Sequence, residues 1–271
     1  VVNIILDLLL ILVIPLGVLG AAIATLIAQA VSAVLVTVTL MYRTEGMKLC
    51  LSQIRMYKRM LQSILKIGLP AGFEAIMYSI SNIIVQVSIN NFGVDTMAAW
   101  TAYSKIDFIF WMINSAFGIS VMTFVGQNYG AGKWDRIRRG TKICLGMALI
   151  SAVSVSIILM SAERFLFGIF VNDAGVVEIG IRMMNVIAPA YLLFAFIEVF
   201  SGALRAQGAV VVSTLITMVG ICVLRMIWVT LVAAHGTLEQ VIICYPITWA
   251  AGALAMSIYY IYKQRKIFQA R

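Results

Sequence analysis

The chain has 271 residues, of which 62% are hydrophobic and 11% are charged, and its mean hydropathy is +1.02. Soluble domains have about 45–50% apolar and about 25% charged residues, so this composition excludes an ordinary soluble globular protein. The net charge of +9 does not indicate nucleic-acid binding, because the basic residues lie between apolar runs of about 20 residues, as in cytoplasmic loops of membrane proteins. We therefore predict an integral membrane protein that binds no nucleic acid.

Eight apolar runs predict membrane-spanning helices of about 20 residues each. Strict two-residue alternation is absent from these runs, which favours an all-α polytopic helical bundle over a transmembrane barrel. The first run starts within apolar sequence at Val1, and we interpret it as truncated. In chain order the runs are 1–16, 18–42, 67–92, 97–125, 141–158, 177–204, 210–233 and 240–262.

The distribution of Lys and Arg predicts the orientation of these helices. Basic residues cluster in 43–66, 133–142 and 263–271, whereas the alternate connections are acidic or neutral. Loops rich in Lys and Arg stay on the cytoplasmic side, so we expect a multi-pass protein of the plasma (inner) membrane with both ends of this chain in the cytoplasm. The least apolar internal stretch, 44–64, predicts a cytoplasmic loop or an amphipathic helix on the membrane surface. It separates a segment 1–43 from a helical bundle 65–271.

Ionisable side chains inside the predicted spans are candidates for a functional site. A charge at the bilayer centre costs about 2.5–3.5 kcal/mol even on the lenient insertion scale. The acidic residues Glu74, Asp107 and Glu198 must therefore face protein or water. A buried ion pair or hydrogen bond is the structural alternative for each. Arg205 and Arg225 have a further alternative, since arginines near helix ends often extend to the membrane surface or bind backbone carbonyls.

Helical periodicity groups these acids with polar and aromatic neighbours on three faces. Glu74 shares a face with Tyr78, and Asp107 shares one with Trp111. Stripes of this kind are typical of a cavity wall, and the aromatic rings are suited to hold a flat organic cation by cation–π attraction. The third face carries three polar residues at spacings of seven: Tyr191, Glu198 and Arg205.

The glycine-rich run that starts at Gly126 does not predict a nucleotide site. Gln127 occupies the position at which a phosphate-binding loop needs its first glycine, and Trp134 stands where Ser or Thr would bind magnesium. The sequence also has neither a G-x-S-x-G motif nor His and Cys at metal-ligand spacing. We therefore predict that the protein is not an enzyme and uses no cofactor.

The same run, Gly126-Gln-Asn-Tyr-Gly-Ala-Gly-Lys-Trp-Asp135, closely resembles the signature of multidrug and toxic compound extrusion (MATE) transporters. Further matches follow the order of that family's helices: Asn3 and Asp7 with 17–25, then 68–72, then Pro189 with 202–208, then 220–225 with Trp228. The resemblance implies two pseudo-symmetric six-helix lobes. This chain would hold the last two helices of the first lobe and the complete second lobe, or about eight of twelve helices.

The resemblance implies a secondary active antiporter that exports organic cations or drugs in exchange for Na⁺ or H⁺ by alternating access. The family's acidic residues of the seventh and tenth helices fall on Glu74 and Glu198, which become candidates for Na⁺ binding. The complete protein is expected to be a monomer in the bilayer. The expected cation and substrate site comprises Glu74, Tyr78, Asp107, Trp111 and Glu198, and structural or gating roles are expected for Gly126, Gln127, Gly130, Pro189, Arg205 and Arg225.

Two alternatives remain open at this point. A lipid-linked oligosaccharide flippase of the same superfamily would be expected to have a more basic cavity than Glu74, Asp107 and Glu198 provide. A non-transporting fragment, or a half that needs a partner chain, is the other alternative, and the start of the chain inside an apolar run favours it.

Overall fold

The computed structural model describes residues 1–42, 49–50, 52, 54–232 and 236–269. These residues are almost entirely helical and contain no β-strand, so the predicted all-α class is confirmed. Two compact units divide the chain, Val1–Leu61 and Gln62–Arg271, and the boundary lies within the predicted segment 44–64.

Within the described residues, seven helices are long and apolar enough to cross a membrane. The first predicted span, 1–16, corresponds instead to a shorter apolar helix, Val2–Val13. Most of the seven extend beyond the predicted limits, because helical hydrogen bonding continues into polar turns that a hydropathy window does not detect. They are Gly17–Tyr42, Lys58–Asn90, Val94–Gly130, Trp134–Ser161, Ala174–Ala206, Val210–Val232 and Leu238–Ile267.

Up to residue 42, the first unit forms two helices, α1 (Val2–Asp7), which continues as a π-helical segment over Leu8–Val13, and α2 (Gly17–Tyr42). The chain turns at Pro15, and Gly17 takes the positive φ of 54° that favours glycine. Asn3 Nδ2 donates to Thr25 Oγ1 at 3.4 Å and joins the two helices.

The part of segment 44–64 that the structure describes has no regular structure at Ile54–Tyr57, and a helix begins at Lys58. Residues 43–48, 51 and 53 lie outside the described residues, as do His235 and Arg271. An amphipathic helix over the whole segment therefore stays a prediction.

The helix α8 (Tyr191–Ala206) lies at the centre of the second unit and packs against α4 (Val94–Gly130), α5 (Trp134–Ser161) and α12 (Cys244–Gln269). Ten of its sixteen residues are buried, so its side chains reach different neighbours at each level of the bundle. The helices of this part of the chain are α3 (Lys58–Asn90), α4 (Val94–Gly130), α5 (Trp134–Ser161), α6 (Glu163–Phe170), α7 (Ala174–Ile187), α8 (Tyr191–Ala206), α9 (Val210–Thr217), α10 (Leu224–Ile227), α11 (Leu238–Ile242) and α12 (Cys244–Gln269).

A 3₁₀ turn over Ala188–Ala190 separates α7 from α8. Pro189 lies in this turn and cannot donate the backbone hydrogen bond that a continuous α-helix requires. Ser156 Oγ of α5 donates to the Ala188 carbonyl at 2.5 Å. The turn therefore determines where α8 begins, and hence where Tyr191 points.

The short helix α10 lies between two π-helical segments, Met218–Val223 and Trp228–Val232. Such π turns occur often at functional sites, because they displace side chains from the regular helical register. Arg225 is carried by α10.

Close packing of α8 against α4 depends on Gly202. A Cβ at this position would lie 2.8 Å from the Gly118 carbonyl oxygen and 2.9 Å from Val121 Cγ1. Backbone atoms cannot move aside cheaply, so we expect Gly202→Ala to destabilise the protein by about 1–3 kcal/mol. Thermal unfolding of the purified protein measures this loss.

Gly146→Ala is the matched control for this prediction, because a Cβ at Gly146 in α5 meets open space. Alanine favours helix over glycine by about 0.5–1 kcal/mol, so we expect no loss from this change. Equal unfolding temperatures for the two variants would contradict the packing argument.

Candidate functional site

A cavity of about 370 Å³ lies in the second unit and has walls from α3, α4 and α12. It brings together Tyr78, Asp107 and Trp111, which the sequence placed on two separate helix faces. Asp107 is the one carboxylate among the described lining residues. The other lining residues are Asn82, Gln86, Trp100, Tyr103, Ser104, Phe108, Ile187, Tyr245 and Trp249.

The Asp107 carboxylate is held by two hydrogen bonds. Trp111 Nε1, one helical turn further along α4, donates to Oδ2 at 2.5 Å. The Tyr191 hydroxyl, from the start of α8, donates to Oδ1 and lies 3.0 Å from the Tyr103 hydroxyl. A carboxylate has about four acceptor positions, so both oxygens remain able to accept from a ligand.

Aromatic contacts stabilise the cavity wall. Phe110 stacks on Tyr191 with ring centroids 3.9 Å apart. Trp111 meets Trp249 edge to face at 6.1 Å, and Trp249 meets Tyr245 in the same way at 5.5 Å. Rings arranged in this manner present electron-rich faces, which attract cations. Sequence reasoning missed Tyr245 and Trp249, although their spacing of four places them on one face of α12.

Arg225 lies directly behind this wall with 0% of its surface exposed. Its Nη1 donates to Asn82 Oδ1 at 3.1 Å. The guanidinium carbon lies 4.3 Å from the centroid of the Tyr245 ring and 5.8 Å from that of Tyr78. All three of these neighbours line the cavity. The alternative that Arg225 extends to the membrane surface is therefore wrong.

Glu74 forms a second cluster, away from the residues that line the cavity. Both of its carboxylate oxygens lie 2.6 Å from Arg205 Nη2, and Thr214 Oγ1 donates to Oε2 at 2.9 Å. Arg205 Nε also donates to Ser201 Oγ at 3.0 Å. The cluster joins α3, α8 and α9, and it contains the buried ion pair that was the structural alternative for Glu74. Binding of Na⁺ at Glu74 stays a prediction. Tyr78 reaches the cavity because it lies one helical turn beyond Glu74.

Glu198 lies half-buried on α8 and faces the close contact with α4. A Cβ at Gly118 would overlap its carboxyl group. Arg205 and Glu74 lie near enough to act on it electrostatically. Within the described part of the chain, no hydrogen-bond donor reaches the Glu198 carboxylate, so its charge is less compensated than those of Asp107 and Glu74.

The glycine-rich run forms the tight turn between α4 and α5. Gly130 ends α4, and Gly132 takes a φ of 66°, which favours glycine. The Gln127 carbonyl oxygen accepts a hydrogen bond at 3.1 Å from the backbone amide of Ala131, the residue that follows α4. A Cβ at Gly126 would lie 4.0 Å from that of Ala206 on α8. These positions support a structural role in the turn.

Residues 70–231 match the MatE protein family. The chain is 26% identical to the probable multidrug resistance protein YoeA of Bacillus subtilis, over 93% of this chain and 56% of YoeA. It is 25% identical to the multidrug export protein MepA of Staphylococcus saprophyticus, over 86% of this chain and 54% of MepA. Human multidrug and toxin extrusion protein 1 is 23% identical, over 84% of this chain and 41% of the human protein. The chain thus spans about half the length of these relatives.

Solved structures share this fold. The crystal structure of MATE in complex with MaL6 superposes with a TM-score of 0.90 at 18% identity, over 99% of this chain and 61% of that one. The outward-facing structure of a multidrug resistance MATE family transporter superposes with a TM-score of 0.89 at 19% identity, again over 99% of this chain and 61% of that one. The family match covers more than half of the chain and agrees with the resemblance of the Gly126 run. The chain therefore belongs to the MatE family of multi-pass membrane transporters.

Proposed function

We propose that the protein is a secondary active transporter that exports organic cations, including drugs, in exchange for Na⁺ or H⁺ by alternating access. The observation that carries this proposal is the Asp107 carboxylate in a cavity lined with Trp and Tyr. The names of the relatives, which are multidrug resistance and export proteins, support the substrate class.

The cavity is suited to bind a flat aromatic cation. Its volume of about 370 Å³ lies in the range of small-molecule pockets. Asp107 supplies the negative charge, and the rings of Tyr78, Trp111 and Trp249 supply apolar contact and cation–π attraction. Tyr191 and Trp111 hold the carboxylate in place, so little reorganisation is needed when the ligand binds.

The cluster of Glu74, Arg205 and Glu198 is the proposed place of ion coupling. Two carboxylates and one guanidinium leave one negative charge in the half-buried centre of the bundle, and a transported Na⁺ or H⁺ at Glu198 would neutralise it. An ion that binds the inward-open and outward-open conformations with different affinities shifts the equilibrium between them by that difference. Ion binding at Glu198 would in this way couple ion entry to drug exit.

Contacts at the end of α12 support the proposed placement in the membrane. Lys263 Nζ donates to the Gln207 carbonyl at 3.0 Å, and Gln264 Nε2 donates to Gln207 Oε1 at 3.0 Å. The turn after α8 therefore lies on the same side of the bundle as the basic end of α12, with Arg265 and Lys266. We assign this side to the cytoplasm of a plasma (inner) membrane protein, since cytoplasmic segments are rich in Lys and Arg.

We expect Glu198→Gln to reduce gradient-driven efflux of ethidium about tenfold in cells that carry the full-length protein. The neutral amide cannot bind the coupling ion as an anion, and a charge-assisted interaction contributes about 1.5–3 kcal/mol. Ethidium binding to the purified variant should be nearly unchanged, because Asp107 and the aromatic wall remain.

Glu178→Gln is the matched control. Glu178 is exposed and forms a surface ion pair with Arg164 at 3.4 Å, so its neutralisation should leave efflux unchanged. Undiminished, gradient-dependent efflux in Glu198→Gln would refute the assignment of ion coupling to Glu198.

A further inference from the structure

A second pocket of about 370 Å³ lies between α4 and α5 and shares no lining residue with the cavity around Asp107. Its lining is apolar except for Ser120 and Cys144. Ile143 and Met147, which line it on α5, are 53% and 56% exposed. The pocket is therefore an apolar groove that opens to the outside of the bundle.

Gly140 makes the surface between the two helices concave. A Cβ there would overlap the Phe124 ring of α4, so the ring lies against the backbone of α5. Exposed apolar side chains are ordinary on a surface that faces lipid, because lipid tails are as apolar as leucine. A concave apolar surface that ends at a basic cluster has, in addition, the shape and charge of a site for one anionic lipid molecule.

The groove has the depth of one lipid leaflet. Gly140 and Met147 lie six and thirteen residues beyond the start of α5, or about 9 and 20 Å along the helix axis. Phe124 and Phe117 lie six and thirteen residues before the end of α4. The hydrocarbon of one leaflet is about 15 Å thick and lies below a polar layer of about 5–7 Å. The groove therefore lies at the level of the acyl chains when the turn between α4 and α5 is at the membrane surface.

Basic side chains lie between the groove and that surface. Arg136 precedes Gly140 by four residues and therefore lies on the groove face of α5. Arg139 precedes Ile143 by the same spacing, and both arginines are exposed. Residues 133–142 contain five basic residues and one acidic residue, Asp135, so this turn stays positively charged even where Asp135 offsets Arg139. The positive end of the α5 dipole adds to that charge.

Contacts between helix ends show which side of the bundle this is. A Cβ at Gly126, near the end of α4, would lie 4.0 Å from that of Ala206 at the end of α8. The turn after α8 accepts a hydrogen bond from Lys263, near the basic end of α12. The groove therefore opens into the leaflet that we assign to the cytoplasm, where anionic lipids attract basic segments.

We propose that the groove between α4 and α5 binds one phospholipid with an anionic headgroup. An acyl chain lies against Phe117, Phe124 and Met147, and the headgroup phosphate lies at Arg136 and Arg139. Guanidinium groups suit a phosphate because they donate to two of its oxygens at once. The site is separate from the substrate cavity, so the proposal does not depend on the proposed transport function.

The test compares two lipids that carry the same NBD fluorophore on one acyl chain and differ in the headgroup: anionic phosphatidylglycerol and zwitterionic phosphatidylcholine. Fluorescence anisotropy measures the binding of each to the purified full-length protein in detergent. We expect phosphatidylglycerol to bind about tenfold more tightly. Unlabelled phosphatidylglycerol should displace the probe, whereas glycerol 3-phosphate, which has the phosphate but no acyl chain, should not.

A double variant tests the headgroup contact. Arg136→Gln with Arg139→Gln should lower the affinity for phosphatidylglycerol about tenfold, to that for phosphatidylcholine. Arg265→Gln with Lys266→Gln is the matched control, because these exposed basic residues lie at the end of α12 on the same side of the bundle. The control should keep the wild-type preference.

A second variant tests the acyl-chain contact. Ser120 lines the groove and is exposed, so Ser120→Trp fills the groove without entering the core. It should lower the affinity for both lipids about tenfold. Ile157→Trp is the matched control, since Ile157 is 63% exposed on the other half of α5, and it should bind both lipids as the wild-type protein does.

Several results would overturn the proposal and leave the proposed function intact. They are equal affinities of the wild-type protein for the two lipids, equal losses in the two double variants, wild-type binding by Ser120→Trp, and displacement of the probe by glycerol 3-phosphate. The wild-type comparison needs no variant, so the proposal can be tested even if a variant fails to fold.

Discussion

Asp107→Asn is expected to reduce ethidium efflux by about 10- to 100-fold in cells that carry the full-length protein. The change is nearly isosteric and keeps an acceptor for Tyr191 or Trp111, but it removes the negative charge of the cavity. A charge-assisted contact contributes about 1.5–3 kcal/mol, and each 1.4 kcal/mol corresponds to about tenfold in affinity. The dissociation constant of ethidium from the purified protein should rise by a similar factor.

Asp95→Asn is the matched control for Asp107→Asn. Asp95 lies on the same helix, in the first turn of α4, and is exposed. The same change there removes one negative charge without affecting the cavity, so efflux should remain at the wild-type rate. If Asp107→Asn and Asp95→Asn transport ethidium equally well, the cavity is not the cation site.

The second large effect is expected at the ion pair of Glu74 and Arg205. Their side chains are 14% and 28% exposed and their nearest atoms are 2.6 Å apart. Arg205→Met would leave the Glu74 carboxylate half-buried with Thr214 as its remaining partner. Removing one member of a buried pair costs about 3–5 kcal/mol, so we expect a loss of about 3 kcal/mol in the free energy of unfolding for this partly exposed pair.

The double variant Glu74→Gln with Arg205→Met distinguishes the interaction energy between the two residues from the contribution of each residue alone. Because both charges are removed together, we expect it to be more stable than Arg205→Met alone by about 2 kcal/mol. The exposed pair of Arg182 and Glu239, 3.4 Å apart with side chains 56% and 51% exposed, is the control. Loss of that pair should cost less than about 1 kcal/mol. Additive effects at Glu74 and Arg205 would show that the two residues do not interact.

The helices and part of the site follow from local patterns in the sequence. Long apolar runs predicted the spans, since hydropathy over about 20 residues determines insertion into a bilayer. The Asp107–Trp111 hydrogen bond joins residues four apart, a spacing that places side chains on one helix face. The first run, predicted as a truncated span over 1–16, forms a shorter apolar helix over Val2–Val13 that ends just before Pro15, because the residue before a proline is disfavoured in the α conformation.

Pairings between helices could not be predicted in this way. Arg205 and Glu74 are 131 residues apart, and Arg225 and Asn82 are 143 apart. The spacing of seven along α8 put Tyr191, Glu198 and Arg205 on one face, but it did not show that each of them meets a different environment. Those environments depend on how α8 packs at the centre of the bundle.

The sequence by itself determined that this is a helical membrane protein of a transporter family and that Glu74, Asp107 and Glu198 lie within its spans. These properties depend on the composition and order of each segment. Only the tertiary structure decided that Asp107 opens on an aromatic cavity, that Glu74 is paired, and that Arg225 is buried behind the cavity wall. The physical reason is that side chains from other helices determine the environment of a buried charge. The periodicity within one helix does not specify which other helices pack against it.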